Sequence, residues 1–195
     1  MSRSERPRAA ETAAERRFRG IPVAPGVGIG PLFVTTEGRP EVARRRLQAP
    51  EVAAEIRRLD AAIRQSRHQL GKLRARLVLL PEDSQAEIAP LIEAYLRMLG
   101  ASRLVRGAQR RIEALHCAES AMLDESEAIA TALGAARDAH AQRQAEEVRE
   151  IARRVLRNLT QTPFRSFAGA PQGAILVAEW LRPADAALLD PARLG

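Results

Sequence analysis

Between Val52 and Leu80 the chain repeats at alternating intervals of four and three: Val52, Ile56, Leu59, Ile63, Ser66, Leu70, Leu73, Leu77 and Leu80. Eight of these nine positions are apolar, and the spacing predicts one long helix with a coiled-coil-like stripe, ended by Pro81. Each such side chain contributes roughly 1.5 to 3 kcal/mol when buried, so the stripe must face other helices. A second helix is expected with Ile88, Leu91, Ile92, Tyr95, Leu96 and Leu99 on one face, opened by Asp83 or Ser84 as cap and stopped near Gly100. Shorter helices fit Leu104, Val105, Ala108, Ile112 and Leu115, then Met122, Ile129 and Leu133 with Gly134 as the stop. A last long one carries Val148, Ile151, Ala152, Val155, Leu156 and Leu159. Together they predict an antiparallel helical bundle.

The pattern differs on either side of the helices. Residues 1–19 are polar, arginine-rich and without periodicity, a disordered basic tail by composition. From Gly20 to Thr36 glycines and prolines punctuate short β-branched runs, with Leu32 to Thr36 the strand. Beyond Thr160, Pro163 and the glycines at 169 and 173 mark a loop, Ala174 to Ala178 reads as a buried strand, and Pro183 opens a short helix over Ala184 to Leu189. Strand sequence before and after the bundle implies a bundle inserted into a β/α domain whose two ends meet, a domain that two or three strands cannot complete. The expected boundaries are 1–19 for the tail, 20–38 and 162–195 for the two β/α parts, and 39–161 for the bundle.

Composition narrows the function. A 46% hydrophobic content supports a folded core, and no run approaches the roughly 18 to 20 apolar residues of a membrane helix, so a cytoplasmic protein without membrane contact is expected. The lone cysteine, Cys117, cannot form an internal disulfide and is expected as a small buried residue. A net charge of +7 raises the question of nucleic acid. Against it, aromatics are 3% and none interleaves with a basic run. Arginine also alternates with glutamate, as in Glu55-Ile56-Arg57-Arg58 and Glu146-Glu147-Val148-Arg149-Glu150, the pattern of solvated helix faces. Gly26-Val-Gly-Ile-Gly30 continues into Pro31-Leu-Phe-Val rather than a helix, which excludes a dinucleotide loop. No metal-ligand spacing and no nucleophile–histidine pairing stand out.

Four segments carry a family resemblance. Val23-Ala-Pro-Gly-Val-Gly-Ile-Gly30 resembles a strand motif of the type A-S-P-G-I-A-x-G, and Ile92-Glu-Ala-Tyr-Leu-Arg-Met-Leu99 a helix F-E-A-H-x-x-M-L. Val148-Arg-Glu-Ile-Ala-Arg-Arg-Val-Leu-Arg-Asn-Leu159 is similar to V-R-D-I-G-x-R-L-L-R-x-L, and Ala174-Ile-Leu-Val-Ala-Glu-Trp-Leu-Arg-Pro-Ala-Asp185 to I-L-V-A-x-x-L-x-P-S-D. In this order they resemble the N-terminal region of Enzyme I, the phosphoenolpyruvate-protein phosphotransferase of the bacterial sugar phosphotransferase system.

The resemblance implies an α+β, mostly α fold: a helical bundle of the HPr-docking type inserted into an incomplete β/α phosphohistidine (swivelling) domain. It further implies docking of the phosphocarrier HPr for histidine-to-histidine phosphoryl transfer, with Tyr95, Met98, Leu104, Leu133 and Gln144 at the partner-binding positions. Ordinary bundle core is the competing reading of the four apolar ones. The phosphoryl-accepting histidine belongs to a G-G-x-T-S-H-x-A motif expected beyond Gly195. His68, His116 and His140 lie in helical segments without that context. The C-terminal phosphoenolpyruvate-binding barrel, with its Mg2+, is the further expected partner, so no cofactor and no catalytic residue is assigned within this chain. The family's acidic run E-D-x-E is replaced by Gly100-Ala-Ser-Arg103, and its arginine in the last helix by Gln144, preceded by His140, Ala141, Gln142 and Arg143. A basic rim repels a basic partner, which leaves a non-catalytic helical interaction module with another partner as the alternative.

Overall fold

The computed structural model describes residues 16–35, 42, 44–136, 138–162, 170–178, 181 and 189. The tail as far as residue 15, the loop at 163–169 and the helix expected from Pro183 lie outside the described residues. Strand β1, Leu32–Thr35, precedes five helices: α1 Val52–Arg76, α2 Glu82–Met98, α3 Arg103–Glu113, α4 Ala118–Gly134 and α5 Ala139–Leu159. Strand β2, Ile175–Ala178, follows them. β1 and β2 pair in parallel, Leu32 opposite Ile175 and Thr35 opposite Ala178. The helices are therefore an insertion between two adjacent strands, as the sequence implies. Gly30 sits so close to the second strand's approach that a Cβ there would lie 1.9 Å from the Gly173 carbonyl oxygen.

The long stripe behaves as its spacing demands. Leu59, Ile63, Ser66, Leu70, Leu73 and Leu77 are buried, and Val52, Ile56 and Leu80 pack at the edge of the same core. The α-helix ends at Arg76 and tightens into a 3-10 turn over Leu77–Leu79, so the last apolar positions belong to the corner rather than to the helix. Ser66, the one polar member, is satisfied inside the core: its hydroxyl donates to the Ala62 carbonyl at 2.8 Å and accepts from Asn158 Nδ2 at 2.7 Å. That contact ties α1 to α5.

Helix α2 begins at Glu82, one residue before the expected Asp83 or Ser84 cap, because Pro81 occupies the cap position with its φ fixed at −52°. Glu82 and Asp83 instead place negative charge in the first turn, where the helix dipole favours it. Pro90 lies inside α2 on its exposed side. The carbonyl that loses its bond belongs to Ala86, also exposed, so water can replace the missing donor. Ser102 caps α3 by accepting from Val105 N, and Asp138 caps α5 by accepting from Ala141 N at 2.8 Å. Leu115, expected on α3, lies past its end with φ 72°. His116 likewise lies outside a helix, in an antiparallel bridge with Arg46.

The glutamates read from sequence as solvated faces are not all solvated. Glu55 and Glu150 are 6% and 4% exposed. Glu55 stands four residues before Leu59, on the flank of the buried stripe. Its Oε1 accepts from the Ala118 N–H at 2.8 Å, capping α4, and from Arg58 at 2.9 Å. Arg58 also donates to both oxygens of the buried Glu119 and to the Leu159 carbonyl at 3.0 Å. The hydrogen bond to Glu119 is the main reason the Arg58 guanidinium holds its proton above the ordinary arginine range. A second pair with a buried carboxylate joins α3 to α4, where Arg111 Nε meets Glu125 Oε2 at 2.9 Å. The carboxyl end of Glu125 lies over Gly107, so a side chain at that position would require Glu125 to move.

Two glycine substitutions should move stability in opposite directions. In Gly107→Ala the new Cβ would meet Glu125 Cδ at 2.2 Å, displacing the carboxylate that holds Arg111, and a loss of about 1–3 kcal/mol is expected in urea unfolding. Gly71→Ala, inside α1 with nothing within 4 Å of its Cβ, should gain about 0.5–1 kcal/mol from helix propensity. Equal effects at the two sites would refute this account of the α3–α4 contact.

Candidate functional site

The positions that resemble a partner-docking patch fall on two parts of the bundle. Tyr95 and Met98 come from the last turn of α2 and Leu104 from the first turn of α3, around a corner that Ser102 fixes by donating to the Met98 carbonyl at 2.6 Å. Tyr95 and Leu104 are only 4% and 3% exposed and belong to the continuous core with Ile92, Ala108 and Ile112. For these two the core reading of the spacing describes their position. Met98 is partly buried, packed against that core from its edge. Leu133 and Gln144 stand near the turn between α4 and α5, both half-buried. Of the positions named from sequence at this corner, Met98 is the accessible apolar side chain, on a support formed by Tyr95 and Leu104.

The rim of the corner is basic. Arg97, Arg103, Arg106 and Arg110 are exposed, and the last three share one face of α3 at spacings of three and four. Arg106 turns back to donate to the Ala101 carbonyl. Among nearby acids, Glu93 is paired with Arg74 at 2.8 Å. Arg67 crosses from α1 to the Leu96 carbonyl at 2.8 Å, which adds a further cation beside α2. At the other part, His140 and Arg143 are exposed around the half-buried Gln144.

His68, His116 and His140 are exposed at three separate places on the bundle, and none adjoins a glycine-rich segment. No group of three or more His, Cys, Asp or Glu side chains among the described residues could hold a metal ion. Cys117 is buried, as its composition predicts, with its sulfur 3.2 Å from the Ser120 hydroxyl. No helix among the described residues is long and apolar enough to cross a membrane. The glycines from 26 to 30 lead into β1 without a helix, consistent with the exclusion of a dinucleotide loop.

Comparison with known proteins follows this geometry. Residues 19–144 match the family described as PEP-utilising enzyme, N-terminal. The chain belongs to that family. Relatives of the PEP-utilising group include a phosphoenolpyruvate-protein phosphotransferase of Streptococcus equinus, 25% identical over 175 residues, covering 89% of this chain and 30% of the relative. Another, from Cupriavidus necator, is 26% identical over 178 residues, covering 86% of this chain and 30% of the relative. The chain thus spans about a third of the length of these relatives. The fold matches a solution NMR structure of Enzyme I (nEIt) with a TM-score of 0.75, at 19% identity and covering 88% of this chain and 68% of that one. It also matches the N-terminal domain of Enzyme 1 (Nitrogen) with a TM-score of 0.62 and 24% identity, at the same coverage. The PEP-utilising N-terminal fold is therefore the mostly helical, strand-flanked architecture that the sequence implies.

The burial pattern separates support from surface. Tyr95→Ala should lower the unfolding free energy by about 3–5 kcal/mol, as loss of a buried aromatic does. Met98→Ser should lower it by about 1 kcal/mol, since Met98 is only partly buried. Comparable losses for the two in thermal unfolding would mean that Met98 is core as well.

Proposed function

We propose that this chain is the partner-docking part of a phosphoenolpyruvate-dependent protein phosphotransferase of the Enzyme I type, which holds an HPr-like phosphocarrier during phosphoryl transfer between histidines. The observation that carries the reading is the Met98 corner, where an accessible apolar side chain rests on the buried Tyr95 and Leu104 between two helices. Family membership and the names of the relatives support it. In this reading Met98, with Leu133 and Gln144, touches the partner, while Tyr95 and Leu104 set the shape of the surface. The phosphoryl group is not carried by His68, His116 or His140, which are scattered over the bundle surface. Phosphoenolpyruvate, and the Mg2+ its chemistry requires, belong to a separate barrel domain of the whole enzyme, and the place of action is the cytoplasm.

The rim favours one variant of this reading. Exposed Arg97, Arg103, Arg106 and Arg110 complement a partner that is acidic around its docking face, and like charges would slow encounter with a basic one. If that partner is not a phosphocarrier, the chain is a non-catalytic interaction module.

Titration of the isotope-labelled chain with the HPr protein of the same organism decides between them. Chemical-shift changes at Met98, Leu133 and Gln144, weakened by Met98→Ser, are expected. Absence of shifts at millimolar HPr would refute phosphocarrier docking and leave the interaction-module reading.

A further inference from the structure

A concave surface lies on a different part of the bundle and shares no residue with the docking positions. Between the C-terminal half of α1 and the C-terminal end of α5 opens a cleft of about 850 Å³. Among the described residues four cations line it: Lys72 and Arg76 from α1, Arg154 and Arg157 from α5. Gln65, Gln69, Asn158, Gln161 and Thr162 add amide and hydroxyl groups, while Leu73, Ala75 and the aliphatic stems of the long side chains supply an apolar share of the wall. Gln69 and Asn158 bond each other at 3.0 Å across the two helices, so this wall is held in place before anything binds.

Helix C-termini attract cations, and part of this charge has that ordinary cause. Each terminus carries roughly half a negative charge, so α1 and α5 together offset about one of the four cations. Glu150, at 3.9 Å from Arg157 Nη2, offsets one more. About two positive charges are left without an acidic counterpart among the described residues. Neither Lys72, Arg76 nor Arg154 forms an ion pair there, and the buried Nε of Arg154 has no hydrogen-bond acceptor. Two uncompensated charges and guanidinium groups suited to phosphate oxygens form an arrangement that favours a multiply charged anion over a monoanion. No aromatic side chain among the described residues lines the cleft.

We propose that this cleft is a binding site for a small polyphosphate, recognised through its phosphate oxygens by Lys72, Arg76 and Arg154. The anion neutralises the cluster. Occupancy also cross-links α1 to α5 beside the point where the chain leaves the bundle at Thr162, so a bound anion stiffens that exit.

Inorganic tripolyphosphate is the probe, measured by calorimetric titration of the whole chain at low and moderate salt, with a glutamate oligopeptide of matching charge as the second arm. Saturable binding of tripolyphosphate is expected. It should weaken about tenfold in Lys72→Gln and again in Arg154→Gln, as loss of a charge-assisted hydrogen bond predicts, with unchanged binding in Arg106→Gln, on α3 outside the cleft lining. Thermal unfolding of each variant reports whether it is folded, and Arg76→Gln serves where Arg154→Gln is not. No binding at low salt overturns the proposal. So does equal affinity for the glutamate peptide, which would make the cleft a peptide site, and so does equal weakening by Arg106→Gln, which would mean diffuse charge attraction.

Discussion

One arginine side chain holds the two ends of the bundle to its middle. Arg58 projects from α1 and meets Glu119 at the start of α4 and the Leu159 carbonyl at the end of α5, while Glu55, one turn away, caps α4 through Ala118. Burying two carboxylates beside one guanidinium gains little net free energy, because desolvation offsets most of the attraction. The geometric consequence is larger. If α4 slipped by one turn, Glu119 would lose Arg58 and remain a buried charge without compensation, and Glu55 would lose the amide it caps. The apolar stripes tolerate small slips, since leucine can replace leucine across a groove, but this constellation does not. Helix register in the bundle therefore depends on a polar contact, and burial of the stripe supplies the driving force.

The same network explains why part of the structure could be read from sequence and part could not. The stripe from Val52 to Leu80 and the stop at Pro81 follow from spacing alone, because burial on one face of a helix repeats every three or four residues. Glu55 was not legible as buried. It lies beside Arg57 and Arg58 in a run whose composition matches a solvated face, and only its place four residues before Leu59 marks it as a flank of the stripe. Glu125 shows the same limit, since its burial depends on Gly107 in another helix. Composition reports how much charge a segment has, while burial of a particular charge depends on a partner far away in the chain.

The docking positions show a related limit. Periodicity places Tyr95 and Leu104 on apolar faces, and an apolar face serves a core and a partner surface equally well in sequence. The corner at Ser102 separates them: it turns α3 against α2 so that Tyr95 and Leu104 close inward and Met98 remains at the edge. The strand pairing, by contrast, was legible. Short β-branched runs flank the helices, and the parallel pairing of β1 and β2 brings together residues some 140 positions apart in the chain. An insertion between adjacent strands enters and leaves the sheet at nearly the same place, so the bundle is tethered by two neighbouring connections and can keep its own register.

Charge distribution distinguishes the two surfaces more clearly than net charge does. Most acidic side chains of the bundle are committed to arginines: Glu51 to Arg45, Glu119 to Arg58, Glu125 to Arg111, Glu127 to Arg149, Glu146 to Arg153. The excess of basic residues is thus expressed where cations outnumber acids, on the outer face of α3 and in the α1–α5 cleft. These two places differ in shape. On α3 the arginines are splayed along a convex helix face, where each is screened separately by solvent and acts on encounter rather than on affinity. In the cleft the cations converge on one volume with fixed amides between them, and converging charge in a partly enclosed space is screened less. A convex basic face suits a broad protein surface and a concave one a compact anion, so the same surplus of arginine supports two different kinds of recognition.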